Sequence, residues 1–143
     1  MIDPASTVKA PDNPAVSRAI VHALDDDSIT LAIPGTSYRI ALRPKHTVKA
    51  TAGDTIEGVI ACQAMRMDVL KSGGKFLEPI EGRPRRIAGR IVAIDERNNT
   101  VTINAGTPFT VTPHALQKAS QFEIDQIVTM GVKDGATFEP VSS

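Results

Sequence analysis

Apolar and polar residues alternate along two stretches of the chain, and a short polar turn interrupts each stretch. In the first stretch, Ile29, Leu31 and Ile33 share one parity after an Asp-Asp-Asp-Ser turn. In the second, residues 91–103 repeat this arrangement around the turn at Asn98-Asn99. Alternation with a period of two is typical of a β-strand with one buried face. Each stretch therefore predicts two strands joined by a tight turn, and a third alternating strand follows each.

The order of matching blocks in the two halves indicates an internal duplication. Loops of different length separate the blocks, as expected when one small unit has been copied and has diverged. One meandering sheet with a recurrent strand pattern is the alternative. The matched blocks are Ile29-Thr30-Leu31 with Val101-Thr102-Ile103, Gly35-Thr36 with Gly106-Thr107, Tyr38 and Ile40 with Phe109 and Val111, and residues 74–80 with residues 135–141.

The fourth strand of the first unit begins at Gly53-Asp54, and its run continues over residues 61–70 without a strand breaker. We expect it to form an extended strand pair that projects beyond the unit. Glycines permit the positive φ angles of tight turns, so residues 71–74 (Lys-Ser-Gly-Gly) predict the turn after it. Residues 76–80 would then supply the strand that closes the first unit.

The second unit carries a helix-start signature after its third strand. Thr112 is a favoured capping residue, Pro113 suits the first helical position, and good helix formers follow. The sequence therefore predicts a short helix there. Residues 124–130 and 136–141 are predicted to be the last two strands.

These elements predict an all-β fold with minor α content, built from two tandem five-stranded small barrels. Five strands with a helix between the third and the fourth resemble the order of the OB-fold. SH3-like barrels, or one barrel shared by the halves, are the alternatives. The expected divisions are a flexible N-terminal tail over 1–17, a first unit over 18–81, a basic linker over 82–86 and a second unit over 87–143.

Composition narrows the function classes. Aromatic residues are 3% of the chain and Trp is absent, so the core must be aliphatic. Sixteen basic residues balance sixteen acidic ones, so binding to nucleic acid would need a local patch, and we expect no membrane association. The single cysteine, Cys62, excludes an internal disulfide, and the N-terminus lacks a signal-peptide pattern. A cytoplasmic location is the expectation.

Three residues of the segment 61–70 are the candidate protein-binding residues: Met65, Met67 and Val69. On a regular strand Met65 and Met67 would share a face, and Cys62 would point to the other. Methionines form adaptable apolar surfaces for protein partners. Soft sulfur ligands also suit copper(I), so a metal or small-ligand carrier is a further alternative.

One local concentration of basic residues could follow a phosphate backbone. Single-strand binders also need aromatic stacking platforms, and most aromatic residues here have the apolar parity of the core. Nucleic-acid binding is therefore the alternative function. Its candidate residues are Lys71, Lys75, Arg83, Arg85, Arg86 and Arg90.

No catalytic pattern is evident in the sequence. Cys62 has no histidine near it in the chain, and no nucleophile elbow, phosphate loop or dinucleotide fingerprint occurs. His46 and His114 occupy nearly matching places in the two halves without carboxylate or cysteine neighbours at ligand spacing, which favours solvated loop residues. We therefore expect a non-enzymatic protein-interaction or assembly module without a cofactor. A protein partner or self-association is expected.

Overall fold

A computed structural model describes residues 13–141, and in this range the chain is almost entirely β-structure. All its strands belong to one eleven-stranded sheet. The strands are β1 (Val16–Leu24), β2 (Ile29–Ala32), β3 (Arg39–Pro44), β4 (Thr55–Leu70), β5 (Phe76–Glu78), β6 (Glu81–Gly82), β7 (Arg86–Asp95), β8 (Thr100–Asn104), β9 (Pro108–Thr112), β10 (Ile127–Val132) and β11 (Thr137–Pro140).

The alternating residues of the sequence form the core. Ile29 and Leu31 of β2 and Val101 and Ile103 of β8 are fully buried, as their parity predicts. The core is aliphatic apart from a few aromatic rings, among which Phe138 of β11 is completely buried. The alternation of apolar and polar residues predicted an all-β fold, and this prediction is confirmed.

The first part of the sheet closes on itself through hydrogen-bonded pairs. β1 pairs with β2, and β2 pairs with β3, both antiparallel. β3 lies parallel to β11, and β11 pairs antiparallel with residues 58–61 of β4. The first residues of β4 return to β1. These pairings form a first ring of five strands, and one of them, β11, comes from the C-terminal end of the chain.

A second ring has the same order of pairings. β7 pairs with β8, and β8 with β9. β9 lies parallel to residues 61–63 of β4, whose later residues pair with β10, and β10 returns to β7. The 16-residue strand β4 therefore belongs to both rings. In each ring the first strand has an irregularity at the corresponding place, at His22 in β1 and at Val92 in β7.

Several sequence expectations about connectivity are wrong. β4 continues as one strand where a projecting strand pair was expected, because its second half finds partners in β9 and β10. β5 pairs with β7 and does not close the first ring. β11 pairs with β3 and β4 in place of the strands of its own half.

The prediction of a short helix after the third strand of the second unit is also wrong. Within residues 13–141 the one helical segment is a 3-10 turn at Ala119–Gln121, and Thr112 ends β9 where a helix cap was expected. Residues 82–86, the expected linker, include the end of β6 and the start of β7. β1 begins at Val16, within the stretch assigned to the tail, while residues 1–12 lie outside the described part of the chain.

Candidate functional site

The second half of β4 changes face at an irregularity that places the candidate methionines on different sides. Met130 of β10 pairs with Met67, and Val132 pairs with Ala64, so β4 has one extra residue in between. A bulge of this kind redirects the side chains that follow it. Met67 is therefore only 2% exposed, whereas Met65 is 51% exposed. The predicted shared face of Met65 and Met67 does not exist.

Beyond the bulge, no strand within residues 13–141 lies along one side of β4, and a side chain partly closes that side. The Met67 amide donates to Oε1 of Gln117 at 2.9 Å, and Nε2 of Gln117 donates to the Met67 carbonyl at 2.9 Å. A glutamine amide has one donor group and one acceptor, so it can pair with a strand residue as another strand would. Gln117 therefore satisfies this edge at one residue.

For Val69, the next residue that faces this side, the described residues provide no partner of this kind. In an antiparallel pair, backbone groups point alternately toward the neighbouring strand and away from it, so Val69 presents the same side as Met67. Within residues 13–141 no other residue hydrogen-bonds its amide or carbonyl on that side. The Val69 side chain is 51% exposed. We call residues 68–70, on the side away from β10, the open edge of β4.

Leu116 supplies an exposed apolar side chain in the loop that contacts β4 through Gln117. It precedes Gln117, which contacts β4 directly, and it is 86% exposed. The His114 ring holds the loop in shape, because its Nδ1 accepts a hydrogen bond from the Leu116 amide at 3.2 Å. The arrangement offers an extended segment two backbone hydrogen bonds and apolar contacts, which are the elements of strand addition.

Some of the candidate nucleic-acid residues have acidic neighbours. Arg83 contacts the carboxylate of Asp134 at 3.2 Å, and Arg86 lies opposite Glu78 across β7 and β5. Arg85 is exposed in the segment just before β7. The structure brings Lys75 and Arg90 together on one cleft, and Lys71 begins the segment that forms it.

A second, larger groove of about 450 Å³ lies where the turn between β1 and β2, and the strand β3, meet the segments before β7 and before β11. Its charged lining residues have opposite signs, Arg43 and Arg83 against Asp26, Asp27 and Asp134. The contact between Arg83 and Asp134 neutralises part of this charge. The groove therefore has no clear preference for an anion or a cation.

The sulfur and imidazole groups do not assemble a reactive or metal-binding site in the described residues. Cys62 is buried in the core, and burial raises the pKa of its thiol to about 12, which keeps it protonated and unreactive near neutral pH. His46 contacts the Glu139 carboxylate at 3.2 Å on the surface. Residues 13–141 contain no group of three or more histidine, cysteine or acidic residues that could hold a metal ion.

The chain was compared with known protein families, proteins and structures, and its helices were searched for a membrane span. No family model matches the chain, and neither the curated proteins nor the solved structures give a significant match. Over residues 13–141, no helix has the length and apolarity needed to cross a membrane.

Reasoning from the sequence alone missed Gln117 and Leu116. The contact between Gln117 and Met67 joins residues far apart in the chain, so no local pattern indicates it. Leu116 lies in a loop that also contains Phe122 and Ile124, so its sequence position does not single it out as exposed.

Proposed function

We propose that the two rings are small OB-fold-like barrels that arose by duplication of one unit and exchanged their fifth strands. The halves 18–81 and 87–143 would be the two copies. The same order of strand pairings and the matching irregularities at His22 and Val92 support this interpretation. The second half of β4 then serves as the fifth strand of the second barrel, and β11 serves as that of the first.

We further propose that the protein is a non-enzymatic interaction module that binds an extended peptide segment of a partner protein along the open edge of β4. The observation that carries this proposal is the Val69 backbone, whose amide and carbonyl face away from β10 without a partner among residues 13–141. Unpaired strand edges are templates for an added strand. The exposed side chains of Val69 and Leu116 would contact apolar residues of the bound segment.

The limited extent of the edge favours selective binding over aggregation. The bulge before Met67 and the side chain of Gln117 block the edge on the N-terminal side of Val69. Bulges and covered edges are the devices by which native sheets prevent uncontrolled pairing. A partner would therefore contact a short segment and would need matching side chains for its affinity.

The interpretation as a nucleic-acid binder has weaker support. Of the six candidate residues, Arg83 is in an ion pair with Asp134, and Arg86 lies opposite Glu78. Phe109, Phe122 and Phe138 are buried in the core, so they cannot act as platforms for bases.

Site-specific photo-cross-linking tests the proposed edge. A photoreactive amino acid replaces Val69 in the full-length protein, and a matched variant carries it at Arg97, which lies in the exposed turn between β7 and β8. We expect a discrete cross-linked partner at Val69 that the Arg97 variant does not give. Mass spectrometry of the adduct should place the cross-link in one extended segment of that partner.

The same cross-linking experiment also tests whether the partner is a second copy of this chain. A cross-link from Val69 to a second copy, together with a concentration-dependent dimer in sedimentation velocity, would identify the partner as this chain. Equal, diffuse cross-linking from both positions, with a monomer at every concentration, would contradict the proposal.

A further inference from the structure

The segment between β4 and β5 crosses two strands and creates a second cleft, separate from the open edge of β4. In the sheet order β4–β10–β7–β5, residues 71–75 must pass across the ends of β10 and β7 to reach β5. A cleft of about 350 Å³ lies under this crossing. Its lining includes Gly73, Gly74, Lys75, Arg90 and Asn104.

The side chains on the cleft make it electropositive. Lys75 and Arg90 are cationic, and none of the lining residues is acidic. Within residues 13–141, Lys75 is in no ion pair. The guanidinium of Arg90 donates to the Asp125 carbonyl at 3.1 Å, while the Asp125 carboxylate is 4.0 Å away. Because a guanidinium has five N–H donors, this contact orients Arg90 and leaves donors for a ligand.

The crossing segment lines the cleft with two consecutive glycines, Gly73 and Gly74, which have no side chain to cover their backbone. Gly73 has a φ of +146°, which side-chain-bearing residues rarely adopt. A Cβ at Gly74 would contact nothing within 4 Å, so its backbone faces open space. Backbone amides that are not covered by side chains are the usual cradle for a phosphate group.

We propose that this cleft binds a small phosphomonoester, with the phosphoryl group held by Lys75, Arg90 and the amides of Gly73 and Gly74. Charge-assisted hydrogen bonds from a guanidinium and an ammonium suit a dianionic phosphoryl group. The organic part of the ligand would lie toward the apolar side of the cleft, where Val92 and Ile127 are exposed to it. The larger groove near Arg83 is unsuited to this ligand because three aspartates line it.

Amide NMR of the full-length protein, titrated at constant ionic strength, tests the assignment. The probes are inorganic phosphate, adenosine 5′-monophosphate and a single-stranded oligothymidylate. We expect phosphate and the monophosphate to shift the amides of Gly73, Gly74 and Asn104, with the monophosphate binding more tightly. In Lys75→Gln and Arg90→Gln we expect binding weakened about tenfold or more. Arg43→Gln, which removes a cation from the other groove, should bind like the wild type.

Three results would overturn the proposal. The first is no phosphate-dependent shift at the glycine amides, and the second is equal affinity in wild type and Lys75→Gln. The third is binding of the oligothymidylate without binding of phosphate or the monophosphate, which would indicate a diffuse polyanion surface. Because Arg90 also holds the Asp125 loop, the unliganded spectrum of Arg90→Gln is compared first, and Lys75→Gln remains decisive if that loop moves.

Discussion

At the scale of single residues, the hydroxyl of Thr110 is the clearest local imperfection. Its Oγ1 is buried and has no hydrogen-bond partner among residues 13–141. A buried polar group without a partner loses its bonds to water and gains nothing in return. Valine has nearly the same shape, so we expect Thr110→Val to raise the free energy of unfolding by about 1 kcal/mol. Urea denaturation of both proteins measures this difference.

Thr129 provides the matched control. Its buried hydroxyl donates to the Ile87 carbonyl at 3.3 Å, so Thr129→Val removes a bond that exists. We expect that variant to lose about 1 kcal/mol of stability. If Thr110→Val also lowers the free energy of unfolding, the hydroxyl of Thr110 has a partner in solution.

Cys62 should make stability depend on pH in the alkaline range. Burial raises the pKa of its thiol from 9.0 to about 12. Between these values the unfolded chain releases the thiol proton while the folded protein keeps it, so the unfolded state binds fewer protons. Stability should then fall with rising pH by up to about 1.4 kcal/mol per unit.

Comparison with Cys62→Ala separates the pH dependence due to the Cys62 thiol from that of the other groups that titrate at high pH. The alanine variant creates a cavity whose cost does not depend on pH, so only the slope differs between the two proteins. We expect the gap in unfolding free energy between wild type and variant to narrow from about pH 8 to about pH 10.5. A constant gap would mean that Cys62 ionises equally in both states.

At the scale of elements, proline substitutions test which side of β4 is open. The Val69 amide faces the open edge, so Val69→Pro removes no ladder hydrogen bond, and its stability should stay within about 1 kcal/mol of wild type. The neighbouring Asp68 faces Thr129 of β10, so Asp68→Pro should cost about 3 kcal/mol. Thermal and urea unfolding give both values.

The same two proline variants also test the proposed binding of a partner at the open edge of β4. Val69→Pro should also abolish partner binding, because the edge loses its only free donor. Equal destabilisation by the two prolines would show that Val69 already has a strand partner in solution, and the proposed site would then be lost.

Local patterns predict the strands of this chain well but not their partners. The alternation around Leu31 and Ile103 follows from burial of one face, so it can be read from the residue order alone. The bulge between Ala64 and Met67 arises from the register with β10, which no local pattern of β4 contains. Of the candidate residues, Met65 and Val69 are exposed, but Met67 is buried because of this bulge.

The whole molecule depends on long-range pairings that cross between its halves. The matching blocks of the two halves favour the simplest connection, in which each half closes on itself. Nothing in the sequence of residues 74–80 or 135–141 distinguishes that arrangement from the pairing across halves. The two segments are alike in sequence, yet β5 contacts β7 and β11 contacts β3 and β4. The continuous strand β4 physically carries the first half into the second ring.

The pairing across halves predicts that a substitution in one half weakens the other half. Phe138 of β11 is completely buried, and the carbonyls of Ala136 and Phe138 accept hydrogen bonds from the amides of Arg43 and Lys45 at 3.0 and 2.9 Å. Phe138→Ala should cost about 3–5 kcal/mol. Hydrogen exchange should show the loss of protection in β3 and residues 55–61, although these belong to the N-terminal half.

Met67→Ala is the reciprocal variant, because Met67 lies in the N-terminal half but packs opposite Met130 of β10. It should lower protection mainly in β9 and β10 and leave β2 and β3 protected. Regions of a protein open in units that share contacts. The pairing across halves therefore predicts that a substitution in the C-terminal half opens strands of the first ring, and that one in the N-terminal half opens strands of the second ring. If Phe138→Ala instead exposed β7 to β10, and Met67→Ala exposed β1 to β3, each half would close on itself in solution and β4 would not join the rings.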